Sequence, residues 1–288
     1  MKIQLLALDL DGTLLNSAKV IPPEVVQTIR QARDEHDVRV VLASARPPRA
    51  VRAFYEQLEL DTPAVYYNGA WVFDPTDQRT LLHSPLPLDI LRGIAELARR
   101  EYPEVLISAE LLDRWYTDGV DDGYAVESAK QGRPDVIAPL AEWMTEPMTK
   151  LLLLGEPDRL AAVNAAIDRE FTHQANKVQT EGFLLQVMHA TVSKAQALRT
   201  VARQLGITRQ HVMAIGDNAN DVGMLQWAGL GVAVANAVPH ALAAASVVTA
   251  SNDDGGVGQA IYEHILHPAG GAKRRRPWLR WPRRQRRH

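Results

Sequence analysis

The stretch LALDLDGTLL, residues 6–15, decides the fold. Its apolar run ends on two aspartates, Asp9 and Asp11, which Gly12 and Thr13 follow directly. A short apolar run bounded by a turn signal is typical of a buried strand in a parallel sheet. Ligands of open α/β sheets bind beyond the carboxyl ends of the strands, so this strand end is expected to lie at a binding edge. Side chains at i and i+2 of an extended chain point to the same side, so the two carboxylates are expected to act together.

Strands and helices alternate on both sides of this stretch. In the first third, we predict strands at 2–10, 38–44 and 64–73, the last with an internal turn, and helices at 22–36 and 47–60. In the last third, we predict helices at 193–206, 219–229 and 256–266, and strands at 211–217, 230–234 and 246–251. Repeated strand–helix–strand units predict an α/β fold with a Rossmann-like parallel sheet and right-handed crossovers.

The middle of the chain has a different pattern. We predict helices at 87–101 and 157–171, strands at 104–108, 148–154 and 183–188, and loops at 113–124 and 128–136. This mixture indicates an α+β domain inserted into the α/β core. The expected division is a core of residues 1–83 and 190–268, an inserted cap of residues 84–189, and a basic, disordered tail of residues 269–288.

The composition narrows the class of protein. The chain has 288 residues, of which 46% are hydrophobic and 23% are charged, and this profile is typical of globular proteins. It has no cysteine, which excludes disulfides and thiolate chemistry and favours a cytoplasmic protein. We expect no signal peptide, because Lys2 is the only basic residue before Asp9 interrupts the first apolar run. No stretch approaches the ~20 apolar residues of a transmembrane helix.

The end of the chain is strongly basic. Residues 273–288, KRRRPWLRWPRRQRRH, hold nine Lys and Arg and no acidic residue. The rest of the chain has 23 basic and 34 acidic residues, a net charge of about −11. We expect the tail to be a solvated appendage. The alternative is weak contact with a polyanion, either phosphates or acidic lipid, and the core chemistry requires no nucleic acid.

Polar side chains follow two further strands of the predicted sheet. LASARP places Ser44 and Arg46 after one strand, and AIGDNANDVGML places Asp217 and Asp221 after another. If these strands neighbour the first, their acidic groups meet at one edge and repel each other unless a cation lies among them. Oxygen ligands and a nearby phosphate are typical of Mg²⁺, which is therefore the expected cofactor.

Other polar residues of this set suit a phosphate group. Ser44, Lys194 and Asn220 supply hydrogen-bond donors, and Gly12 lets backbone N–H groups approach an anion closely. In phosphoryl transfer, one carboxylate attacks phosphorus while another protonates the leaving alcohol and later activates water. The expected ligand is therefore a small phosphorylated metabolite.

Four short motifs resemble those of a known family. DLDGT at 9–13, LASAR at 42–46, Lys194 within TVSKAQAL, and GDNAND at 216–221 are similar to the four motifs of the haloacid dehalogenase-like phosphatases. Their order and spacing resemble the Cof-like branch, which carries a large α+β cap between the second and third motifs. The resemblance covers about residues 1–267.

The resemblance implies a role for each matching residue. Asp9 would be the nucleophile and a metal ligand, and Asp11 the acid/base and a ligand through its backbone carbonyl. Asp217 would complete the metal site, and Asp221 and Arg46 would support it, with Asp221 alternatively orienting Lys194. The implied phosphate-binding residues are Leu10, Ser44, Ala45, Lys194 and Asn220. Three positions depart from the family pattern, because Ser44 stands where threonine is usual and Ala45 and Ala195 stand where glycine is usual.

We expect Mg²⁺-dependent hydrolysis of a small phosphomonoester, a sugar phosphate or a phosphorylated cofactor precursor, through an aspartyl-phosphate. One alternative is a phosphomutase or phosphotransferase, which shares that intermediate and returns the phosphoryl group to a hydroxyl. Another is a protein whose tail binds nucleic acid or membrane as a secondary role. Asn68, which precedes Gly69, is expected to be a turn residue, and the alternative is that it faces the site.

Overall fold

The computed structural model describes residues 2–120, 133–180 and 182–268. The strands in chain order are β1 (Leu5–Leu8), β2 (Arg39–Leu42), β3 (Ala64–Tyr66), β4 (Trp71–Asp74), β5 (Arg79–His83), β6 (Leu106–Leu111), β7 (Arg114–Thr117), β8 (Val136–Ile137), β9 (Lys150–Leu154), β10 (Ala175–Thr180), β11 (Leu184–His189), β12 (Val212–Gly216), β13 (Leu230–Ala233) and β14 (Val247–Val248). The helices are α1 (Pro23–His36), α2 (Pro48–Gln57), α3 (Leu88–Glu101), α4 (Leu140–Trp143), α5 (Pro157–Glu170), α6 (Lys194–Gln204), α7 (Val222–Trp227), α8 (Pro239–Ala244) and α9 (Gly256–Ile261).

A parallel sheet forms the centre of the larger module. Its strand order is β14-β13-β12-β1-β2, so β1 lies between β12 and β2, with Leu8 opposite both Ile215 and Leu42. All four residues of β1 are buried, as expected for a strand covered on both faces. This order brings the ends of β12, β1 and β2 to one edge of the sheet.

Local sequence signals mark where the helices beside this sheet begin and end. α1 has Pro23 in its first turn and ends before Asp37, which has a left-handed backbone with φ of 56°. α6 begins after Ser193, whose hydroxyl accepts a 3.2 Å hydrogen bond from the backbone N–H of Gln196. This N-cap places Lys194 at the first helical position. The hydrophobic core of the module uses residues from the first 72 positions and from Met188 onward.

A second module is built on a mainly antiparallel sheet. Its order is β10-β11-β9-β6-β7-β8, and only the β7–β8 pair is parallel. Its own hydrophobic core extends from Leu86 to Val187 and includes buried residues of α3 and α5. The predicted fold class, an α/β core with an inserted α+β module, is confirmed. The exact domain boundaries stay a prediction.

An antiparallel sheet of β3, β4 and β5 lies between the two modules in the chain. It continues the parallel sheet through a bridge between Ala43 and Val65, and a second bridge pairs Leu86 with Met148. Through residues 2–120, 133–180 and 182–268, we find no helix that combines the length and the apolar character of a membrane span.

The prediction of a loop at 113–124 is wrong for residues 114–117. These residues form β7, which pairs with β6 so that Ala109 lies opposite Tyr116. The flanking aspartates and glycines favoured a loop, but Trp115, Tyr116 and Thr117 have high strand propensity and gain from pairing. β5, β10, α4 and α8 had no prediction, and Val136, placed in the predicted loop at 128–136, belongs to β8. Residues 121–124 and 128–132 of the two predicted loops, and the tail at 269–288, lie outside the described residues.

Candidate active site

The predicted site residues meet at the carboxyl edge of the parallel sheet. Asp9 follows β1, Ser44 follows β2 and Asp217 follows β12, and these three strands are direct neighbours. Asp9, Ser44 and Asp217 are all buried. The ends of parallel strands therefore bring together groups that are far apart in the chain.

Lys194 lies between two carboxylates. Its Nζ donates to Oδ1 of Asp9 and, at 2.7 Å, to Oδ1 of Asp221. Burial lowers the pKa of Lys194, but the charges of Asp221 and Asp9 outweigh this and raise it, so the ammonium stays charged. Burial also raises the pKa of Asp9 well above its ordinary value. Lys194 opposes that rise, while the charges of Asp221 and Asp217 add to it. Three carboxylates thus share one ammonium group, and the cluster lacks positive charge.

Asp217 approaches the chain immediately after Asp11. The Thr13 hydroxyl donates a 2.8 Å hydrogen bond to Oδ1 of Asp217. Gly12 has φ of +82°, and a Cβ there would lie 2.4 Å from Oδ2 of Asp217. Glycine is required here because a side chain would displace this carboxylate. Burial raises the pKa of Asp217, which the Thr13 hydrogen bond partly offsets.

The donor set fits a hard divalent cation. One carboxylate oxygen from each of Asp9, Asp217 and Asp221 can lie within 4.8 Å of the others. Oxygen-only ligands and a deficit of positive charge suit Mg²⁺ better than a soft metal. Both oxygens of Asp221 already have partners, because Oδ1 accepts from Lys194 and Oδ2 from the amides of Asp217 and Asn218. Asp9 and Asp217 are therefore the freer ligands, and Asp221 is placed to orient Lys194.

The side chain of Asp11 is directed to two basic residues. Arg46 donates two hydrogen bonds to the Asp11 carboxylate, from Nε to Oδ2 at 2.6 Å and from Nη2 to Oδ1 at 2.5 Å. The Nζ of Lys19 donates a third, to Oδ1 at 2.9 Å. Burial raises the pKa of Asp11, but the hydrogen bonds and charge of Arg46, with those of Lys19, lower it overall. Arg46, predicted as a supporting residue, is thus the direct partner of the predicted acid/base. The contribution of Lys19 was missed, because a lysine eight positions along the chain has no motif signal.

The predicted phosphate-binding backbone is available. The amide N–H groups of Leu10 and Ala45 donate to no backbone group among the described residues. Ala45 does not have a positive φ, so alanine in place of glycine does not strain this loop. The Oγ of Ser44 accepts a 3.1 Å hydrogen bond from the amide of Arg46, and its hydroxyl proton remains to be donated.

Asn220 contacts a residue that the sequence placed in a turn. Its Nδ2 donates a 2.8 Å hydrogen bond to Oδ1 of Asn68, and the amide of Asn68 donates 2.9 Å to the carbonyl of Ser44. Asn68 is buried and lies in the Tyr67–Gly69 turn, as predicted, but it also belongs to the site. The signal that identifies it is its position directly after β3, next to the end of β2.

Charged residues of the inserted module face the core beside this site. Arg49, at the start of α2, bonds Glu110 Oε1 at 2.5 Å and Asp113 Oδ1 at 3.3 Å. The buried Lys150 donates to Gln186 Oε1 at 3.1 Å. Sequence reasoning did not find these contacts, because no local pattern links α2 to the strands of the insert.

Two more contacts bring this group next to the turn that carries Asn68. The Nζ of Lys150 lies 4.7 Å from the centre of the Tyr67 ring, and the Tyr67 hydroxyl donates to the carbonyl of Leu112. Burial lowers the pKa of Lys150, and the charge of Glu110 opposes this effect. The insert therefore contacts the core one residue away from the candidate phosphate site.

Carboxylates and hydrogen-bond donors at the strand ends of an α/β core are the groups that a phosphatase uses. Residues 6–261 match the profile of the haloacid dehalogenase-like hydrolases, and the chain belongs to this family, in its Cof-like branch. Hydrolases of this family generally use a divalent metal, and the chain is a phosphatase.

Bacillus subtilis YxeH is 31% identical over 280 residues, covering 91% of this chain and 98% of that protein. The 5-amino-6-(5-phospho-D-ribitylamino)uracil phosphatase YitU of Bacillus subtilis is 28% identical over 268 residues, covering 92% of this chain and 98% of that protein. A haloacid dehalogenase-like hydrolase from Bacteroides thetaiotaomicron has a similar structure, with a TM-score of 0.81 and 29% identity, covering 90% of this chain and 98% of that chain.

Proposed function

We propose that the protein hydrolyses a small phosphomonoester in a Mg²⁺-dependent reaction that passes through an aspartyl-phosphate. The observation that carries the proposal is the meeting of Asp9, Asp217 and Lys194 beside Ser44 at one sheet edge. Asp9, Asp217 and the backbone carbonyl of Asp11 would hold the metal. When bound, Mg²⁺ supplies the positive charge that the cluster lacks and binds a phosphate oxygen.

The first step transfers the phosphoryl group to Asp9. A carboxylate oxygen of Asp9 attacks phosphorus, the bond from phosphorus to the leaving oxygen breaks, and Asp11 gives that oxygen a proton. Lys194 and Ser44 hold the equatorial oxygens by charge and hydrogen bonds. Asp221 keeps Lys194 charged and in place.

The second step releases phosphate. Asp11, now ionised, takes a proton from water, whose oxygen attacks phosphorus and breaks the bond to Asp9. Arg46 favours the ionised form of Asp11, which this step requires, and opposes the protonated form that the first step requires. The bidentate hydrogen bonds from Arg46 also fix the orientation of the Asp11 carboxylate.

We further propose that residues 84–189 act as a cap that selects the leaving group and excludes water before Asp9 attacks phosphorus. The contacts of Arg49 with Glu110 and Asp113 support this proposal, because they hold the insert against the core. We propose a sugar phosphate or a phosphorylated cofactor precursor as the substrate. The name of the relative YitU gives a phosphorylated ribitylamino-uracil, which is a small phosphomonoester.

The test is phosphate release from a panel of phosphorylated sugars and cofactor precursors, with Mg²⁺ and with EDTA. We expect turnover of at least one compound that EDTA abolishes and added Mg²⁺ restores. Turnover indifferent to EDTA, or none across the panel, contradicts the proposal. Phosphorus NMR of the products separates hydrolysis from the mutase reaction, which yields an isomer and little free phosphate.

A further inference from the structure

Asn68 lies where three of the four motifs meet. Its amide donates 2.9 Å to the carbonyl of Ser44, and its Oδ1 accepts a 2.8 Å hydrogen bond from Asn220. The next residue, Gly69, lies so close to the third motif that a Cβ there would be 2.4 Å from the carbonyl oxygen of Ser193. The Tyr67–Gly69 turn therefore packs against the three segments that carry Ser44, Lys194 and Asn220.

The backbone of this turn is in an uncommon conformation. Tyr67 and Asn68 have φ of 54° and 58°, so two consecutive non-glycine residues are left-handed. Such backbones persist where the surrounding structure enforces them, often at functional sites. Glycine adopts this conformation at less cost, so the amide side chain is what asparagine adds at position 68.

Among the described residues, the side-chain nitrogen of Asn68 has no hydrogen-bond partner. Asn68 is only 2% exposed, and Nδ2 is buried without a hydrogen-bond acceptor in the part of the chain that the structure describes. Buried polar groups are nearly always paired, so an unpaired donor beside a ligand site indicates a partner supplied by the ligand. Because Asn220 donates to Oδ1 of Asn68, the Nδ2 end of the Asn68 amide is the one that remains without a partner among the described residues.

We infer that Asn68 is a further phosphate-binding residue, whose Nδ2 donates to an oxygen of the transferring phosphoryl group. Asn220 is then a positioning residue for the Asn68 amide, and its second Nδ2 hydrogen remains for the phosphate. This inference rests on the proposed function only in taking the ligand of the site to be a phosphoryl group.

The test measures binding of inorganic phosphate by calorimetry, in the presence of Mg²⁺, to the full chain and two variants. N68D keeps an oxygen that accepts from Asn220 but replaces the donor by an acceptor. N68G removes the side chain without adding charge, and glycine tolerates the positive φ. N164A is the control for N68G, because it removes the side chain of another asparagine, a half-buried one of α5 in the insert, without adding charge.

We expect N68D and N68G to weaken phosphate binding by roughly tenfold or more, and kcat/KM for p-nitrophenyl phosphate to fall in parallel. N164A should match the wild type. A folded N68G that binds phosphate within twofold of the wild type overturns the inference, as does a wild type that binds no phosphate. If the wild type binds phosphate in a manner sensitive to N68G but hydrolyses no ester, the proposed function fails and the inference stands.

Discussion

Asp9 lies in a buried cluster with more negative than positive charge. Asp217 and Asp221 add to the effect of burial on its pKa, and one ammonium group, that of Lys194, serves both Asp9 and Asp221. A carboxylate in such a place is available to attack once a cation and a phosphate enter, because the added positive charge stabilises its ionised form.

D9N should remove the nucleophile while preserving shape. We expect turnover of p-nitrophenyl phosphate to fall at least about 1,000-fold. The free energy of unfolding should change by less than about 2 kcal/mol, because Lys194 keeps Asp221 and no charge is left unpaired. Kinetics and urea unfolding measure both effects. D61N, at an exposed residue paired with Arg39, is the control. A tenth of the wild-type turnover in D9N excludes Asp9 from the proposed role.

Arg46 and Lys19 both bind Asp11 but should differ in importance. Arg46 is buried and makes two bonds, whereas the Lys19 side chain is 48% exposed and makes one. We expect R46K to lower kcat by about 10- to 100-fold, because lysine lacks the planar guanidinium group that donates two hydrogen bonds to Asp11. K19A should change kcat by less than about threefold, because exposed ion pairs contribute little. Equal effects in steady-state kinetics would mean that charge alone, not orientation, is what Asp11 needs.

At the scale of elements, the β4–β5 hairpin is tied to the inserted module by a histidine. The Nε2 of His83 lies 3.0 Å from the Thr149 hydroxyl oxygen, which also accepts a 2.8 Å hydrogen bond from the amide of Leu112. Burial lowers the pKa of His83 and thereby favours the neutral ring. The junction between the modules therefore contains a group that titrates in the acidic range.

The contribution of His83 to stability should depend on pH. Its pKa in the folded protein lies below the ordinary value of about 6.5, so the unfolded chain binds more protons between these two values. Stability from the neutral ring is complete above about pH 6.5 and is lost as the pH falls toward the folded pKa. In urea unfolding from pH 5 to 8, H83Q should lose less stability on acidification than the wild type. H240Q, at an exposed residue of α8, is the control, and an H83Q slope equal to that of the wild type contradicts the prediction.

For the whole molecule, the decisive contact is between the two modules. Arg49 of the core bonds Glu110 and Asp113 of the insert, and Arg52 lies 3.7 Å from Asp113. The carboxylates of the phosphate chemistry all come from the core. This arrangement supports a division in which the core performs the reaction and the insert chooses the ester.

D113A should therefore change preference more than chemistry. We expect the ratio of kcat/KM values between a preferred and a poor ester to shift, because the insert loses a contact that sets its position. Hydrolysis of p-nitrophenyl phosphate should stay within about tenfold, or about 1.4 kcal/mol of barrier. E142A, at an exposed residue of α4, is the control. A folded D113A that has lost the generic activity would place a catalytic requirement in the insert.

The sequence by itself predicted the fold class, the family and most of the helices and strands. Apolar periodicity and end signals located α1 and α6, because these depend on neighbouring residues within one or two turns. The motif at 9–13 carried enough local chemistry to propose a nucleophile and an acid/base. β7 was missed because its stability comes from pairing with β6, which is not visible within four residues.

Only the tertiary structure revealed the partners of those residues. Asn220 and Asn68 are 152 positions apart, and Arg46 and Asp11 are 35 apart. Such contacts follow from strand order and register, which place the ends of β12, β1 and β2 at one edge. Local sequence patterns encode backbone conformation and burial, whereas the distance between remote side chains is fixed only when the sheet is assembled and its cores are packed.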